Sequence, residues 1–136
     1  MLCDYGGRVR LSLSPPLRPA TLAAADTLAI VAFAAAGIVS HTGAVSLRAV
    51  AEDVVPLLAG WFAAAALTRL YRARTVRALL LTWAVGIPAG VAVRAAALGR
   101  LDEPRQLAFL ATTLVLTLAF VASARLVLSA ATRAPA

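Results

Sequence analysis

The chain has 136 residues, and 62% of them are hydrophobic, which is too short for two ordinary domains and too apolar for an average soluble one. Its 13 basic residues, all arginine, outweigh 6 acids to leave a net charge of +7. They flank apolar stretches instead of forming the solvated basic face of a nucleic-acid module, so nucleic acid is not the expected partner.

Residues 1–19 are polar and hold Pro15, Pro16 and Pro19, which predicts a flexible tail ending where a helix starts. Cys3 is the single cysteine, so neither an internal disulfide nor a multi-cysteine metal site is available. The first apolar stretch covers about 20–40, close to the roughly 20 residues that cross a bilayer. It is too long, and too poorly matched to a cleavage site, for a removable leader. His41-Thr42-Gly43 supplies turn chemistry at its end. A second span is expected at about 54–70. Glu52 and Asp53 would complement its helix N-terminus, and Pro56 would sit in its first turn, where no backbone donor is lost. The third span, about 78–98, ends at Gly99, and the fourth, about 107–128, follows Asp102-Glu103-Pro104. Residues 129–136 form a short second tail. No stretch shows the alternation of membrane strands. The expected fold is all-α: a four-helix bundle integral to the membrane.

An even number of spans puts both ends on one side. Arg8, Arg10, Arg18, Arg69, Arg72, Arg74, Arg77, Arg125 and Arg133 share that side with only Asp4 and Asp26. On the other side, Glu52, Asp53, Asp102 and Glu103 offset Arg48, Arg94, Arg100 and Arg105. Positive residues stay in the cytoplasm, which predicts cytoplasmic termini.

Charges within apolar spans are costly and need a reason. Asp26 lies roughly 9 Å into span one. It fits a salt bridge with Arg125 or Arg69, a titrating or cation-binding site, or a simple interfacial position. Ile30, Phe33, Gly37 and His41 continue its stripe at helical spacing, with Gly37 read as a point of close helix approach. His41 fits an interfacial hydrogen-bonding role or a proton acceptor; as a lone histidine it makes a poor metal site. Arg94 can snorkel, pair with Glu52 or Asp53, or draw an anion into a vestibule. Pro88 predicts a kink, and Gly86 and Gly90 form a small-residue pair for helix packing; broken helices also bind ions in some transporters. Thr112, Thr113 and Thr117 fit backbone bonding or a polar path. Trp61, Tyr71 and Trp83 read as packing or interface aromatics.

The strings Ala25-Asp26-Thr27-Leu28-Ala29 with Phe33, Gly37 and Ser40-His41, then Pro56 with Gly60-Trp61, then Gly86-Ile87-Pro88-Ala89-Gly90 with Arg94, resemble an uncharacterised prokaryotic membrane-protein family, domain of unknown function 3054. The likeness covers about residues 22–128. The fourth span departs from it, with Ala124 before Arg125 where the family has a tryptophan. The resemblance implies four spans and a plasma-membrane address, and supplies no activity, cofactor or catalytic residue.

No nucleophile–base set and no phosphate-cradling loop is present. The leading expectation is a small channel or transporter, alone or as a homo-oligomer. The alternatives are an accessory subunit held to another membrane protein and, last, an enzyme acting on a lipid or quinone-type substrate. Neither a cofactor nor a metal is expected.

Overall fold

A computed structural model describes residues 17–44 and 46–133. Most of the two expected tails, residues 1–16 and 134–136, lies outside the described residues. The helices are α1 (Pro19–Thr42), α2 (Leu47–Leu67), the single turn α3 (Leu70–Ala73), α4 (Val76–Ala97) and α5 (Arg105–Ala131), with no strand among the described residues. All but α3 are long and apolar enough to cross a membrane, with mean hydropathies of 2.1, 1.5, 1.7 and 2.2 in chain order.

Local chemistry fixes the boundaries. Pro19 opens α1 at a position that tolerates a missing donor. Gly43, at φ 70°, closes it by donating its N–H to Val39 O at 3.0 Å. Helix α2 starts well before the expected 54: the Ser46 hydroxyl accepts from Ala49 N at 3.1 Å and caps the first turn. Two expectations fall with that start. Glu52 and Asp53 lie beyond the first turn of α2, and Pro56 is inside the helix. Thr75 caps α4 in the same way, accepting from Ala78 N at 3.1 Å. Helix α4 runs on through Pro88 and closes at Gly99 (φ 64°). There Gly99 N donates to Ala96 O at 3.1 Å and Arg100 N to Ala95 O at 2.8 Å, the paired bonds of a Schellman stop.

The four long helices form a closed ring in the order α1, α2, α4, α5, and α2 packs most closely on α4. In lipid, apolar surface does not drive helices together, so close van der Waals packing has to. Glycine supplies it. A Cβ on Gly60 of α2 would lie 2.6 Å from Gly90 N and 2.9 Å from Gly90 Cα, and would also meet Gly86 O. A Cβ on Gly90 would lie 2.8 Å from Pro56 O and Leu57 Cα. Gly86 and Gly90 thus make the close approach expected of them, and Gly60 is their partner. Gly37 does not: a Cβ there would meet nothing within 4 Å. The ring is wide where Gly37 sits, so the smallness of that residue brings no helix closer. Trp61, Ile30, Leu57, Ile87 and Val121 fill the centre, essentially without exposure.

Candidate functional site

Polar side chains gather at two levels of this bundle. Asp26 is near the start of α1 and Arg125 near the end of α5, so alternating helix direction brings them to one end together with α3. His41, Asp53, Arg94 and Gln106 fall at the other. Along α1 the two levels are about 22 Å apart.

At the first level, Asp26 is completely buried. Arg125 grips it in a fork, Nε to Oδ1 at 2.9 Å and Nη2 to Oδ2 at 2.6 Å. The Tyr71 hydroxyl donates to Oδ2 at 2.9 Å and accepts from Trp61 Nε1 at 3.1 Å. Burial raises the Tyr71 phenol well above its ordinary value; the Asp26 carboxylate adds to this, while the Trp61 N–H works against it. The phenol therefore stays protonated and serves as the donor. Arg69 makes no bond to Asp26: it turns the chain from α2 into α3 with φ 52°, and its side chain is exposed. The geometry is a hydrogen-bonded cluster around a buried carboxylate, tying α1, α2, α3 and α5 together.

The second level is open. A cavity of about 620 Å³ is lined by residues of all four long helices and of the turn before α5. His41 and Arg94 both line it, and Asp26 does not. Arg94 Nε donates to Asp53 Oδ1 at 2.5 Å, and its guanidinium lies 4.7 Å from the centre of the Phe109 ring. Neither residue is fully exposed, so this pair ties α2 to α4 at the cavity wall. Glu52 is held instead by Arg48 at 2.7 Å, and Arg100 reaches Glu103 at 3.8 Å.

Two groups on this wall stand out. Gln106 Oε1 and Thr113 Oγ1 are buried without a hydrogen-bond partner. The sister threonines bond back to their own helix, Thr112 to Ala108 O at 3.0 Å and Thr117 to Thr113 O at 2.6 Å. Thr113, 1% exposed, does not. Such a hydroxyl costs about 1–3 kcal/mol unless something meets it. Beyond this floor Ile30, Trp61 and Val121 close the bundle, and Phe33 meets Phe120 edge-on with centroids 6.2 Å apart.

Sequence reasoning brought out Asp26, His41, Arg94 and Arg125 but missed the role of Tyr71, which joins Asp26 from 45 positions away. Gln106 was missed altogether, and Thr113 was grouped with its neighbours. No spacing in the sequence separates Thr113 from the other two threonines; only the packing does, by burying its hydroxyl without a partner. Among the described residues no cluster of three or more His, Cys, Asp or Glu could hold a metal ion.

Comparison with curated proteins finds no match, and comparison with solved structures finds none either. The model of one family, described as protein of unknown function (DUF3054), matches residues 23–128. That stretch takes in all of α2, α3 and α4 and nearly all of α1 and α5, including every residue of both polar levels. The chain is a multi-pass membrane protein that belongs to this family of unknown function.

Proposed function

We propose that the protein is a small permease or channel of the prokaryotic plasma membrane, with both termini in the cytoplasm. It takes a small polar solute or ion into the cavity at the His41 end. Thr113 carries this reading: a buried hydroxyl without a partner, on the wall of a cavity that reaches into the bundle. Arg94 and His41 stand nearer the mouth, where they select what enters by charge and hydrogen bonding. The arginine excess at the other end supports the orientation, and a homo-oligomer is compatible with the apolar outer face of α5.

Thr113→Val tests the idea cleanly, because it keeps the shape and removes only the hydroxyl. The bond it would delete does not exist in the free protein, so thermal stability in detergent should hold or rise slightly. Solute or ion flux into liposomes should fall. A wild-type protein that passes nothing from a broad panel of ions and small solutes contradicts the reading.

The satisfied cluster around Asp26 favours a second reading, an accessory subunit whose charges only lock helices. It expects no flux and a membrane partner recovered in stoichiometric amount.

A further inference from the structure

At the Tyr71 end, outside the polar cluster, a second cavity of about 470 Å³ is lined by Phe62, Ala65, Ala66, Arg69, Tyr71 and Arg72. Its two halves differ in chemistry. Phe62 and the alanines belong to α2 and lead back along the membrane span, and Phe62 is exposed. Arg69 and Arg72 stand beyond the end of α2, both exposed. Tyr71 forms the wall between, fixed by its bonds to Asp26 and Trp61 and tilted against Phe62 with ring centroids 6.2 Å apart.

The charge here has no internal answer. Neither the Arg69 nor the Arg72 guanidinium has a hydrogen-bond or ion-pair partner among the described residues, and Arg74 and Arg77 add to the same turn. Asp26 is the one carboxylate that the described residues bring to this end, and Arg125 and Tyr71 already occupy it. The backbone is arranged to present these arginines. Arg69 and Arg74 both adopt φ 52°, a left-handed conformation that is uncommon outside glycine. Arg69 thereby ends α2 and starts α3, because its carbonyl accepts from Arg72 N at 3.0 Å and Ala73 N at 2.9 Å. That turn sets the Arg69 and Arg72 side chains at the mouth of one groove.

We propose that this groove binds an anionic phospholipid. Its phosphate is held by Arg69 and Arg72, and one acyl chain lies along α2 past Ala66 and Phe62. A free phosphate would use the arginines and leave the apolar half empty. A zwitterionic lipid would fill the apolar half but bring its own cation to the arginines. Only an anionic lipid matches both halves. The site is separate from the solute cavity, so it stands or falls independently of any transport.

The experiment is a titration of the full-length protein in a neutral detergent with three probes: short-chain phosphatidylglycerol, short-chain phosphatidylcholine of equal chain length, and inorganic phosphate. Binding is read by native mass spectrometry and by the shift in unfolding temperature. Phosphatidylglycerol should bind and stabilise, and the other two should do neither at the same concentration. The double variant Arg69→Gly/Arg72→Gln should weaken phosphatidylglycerol roughly 30-fold, taking about 1 kcal/mol for each arginine. Glycine keeps the left-handed backbone at 69, so the fold is preserved. Arg133→Gln removes one charge from the same end and should change binding less than about twofold, because a charge outside the groove adds only a screened contribution. Equal binding of phosphatidylcholine, full reproduction of the effect by inorganic phosphate, or an equal loss in Arg133→Gln would each overturn the site.

Discussion

Asp26→Ala should cost about 3–5 kcal/mol of stability, because it leaves a largely buried arginine with no counter-charge. Among the described residues Arg125 bonds this carboxylate alone, and Tyr71 loses its acceptor in the same step. The size of the loss distinguishes two accounts. Ordinary hydrogen bonds between membrane helices average only about 0.6 kcal/mol. If the cluster were worth no more than its neutral bonds, Asp26→Ala would be barely visible. Asp26→Asn should fall between, since an amide oxygen still accepts from Tyr71 but brings no charge to Arg125. The double variant Asp26→Leu/Arg125→Met should recover most of the loss, because the charge is removed together with its partner. Unfolding temperatures of the four proteins in one detergent check this. A double variant as unstable as Asp26→Ala would show that the pair does more than satisfy itself.

Gly60→Ala should be the most damaging single-methyl change in the bundle. The added carbon would lie 2.6 Å from Gly90 N and 2.9 Å from its Cα. Those atoms are backbone, so no rotamer change relieves the contact, and α2 and α4 must separate. Overpacking costs typically about 1–3 kcal/mol, and the backbone contact puts this site at or above the top of that range. Gly60→Val should fail to give a folded protein. Gly37→Ala is the matched control: the new methyl meets nothing within 4 Å, and replacing glycine in a helix gains up to about 1 kcal/mol. Equal loss in Gly60→Ala and Gly37→Ala would contradict the α2–α4 contact.

The architecture was readable because hydrophobicity over about 20 residues is a strong signal. All four spans fell within a few residues of the observed helices except at the start of α2. There Ser46 caps a helix whose first turns are too polar to register as membrane-spanning, so Glu52, Asp53 and Pro56 were placed too near the end. Glycines were half legible. Gly86 and Gly90 carry a recognisable spacing, but nothing local distinguishes Gly60, which meets them, from Gly37, which meets nothing. The Asp26–Arg125 contact was among the pairs that depth along the spans allowed, because equal depth on antiparallel helices is itself a constraint. Tyr71 escaped because its partner is fixed by how α3 folds back, through the left-handed backbone at Arg69. The partnerless hydroxyl of Thr113 is a property of packing alone.

The most direct test of this account is where each loop lies. In a Cys3→Ser background, single cysteines placed by Gly43→Cys, Arg74→Cys, Leu101→Cys and Arg133→Cys report the C-terminal end of each span to a membrane-impermeant maleimide on intact cells. Four crossings with cytoplasmic termini predict labelling at 43 and 101, and none at 74 and 133 until the membrane is permeabilised. Labelling of 43 and 74 from the same side would contradict the four-span bundle, and with it both polar levels.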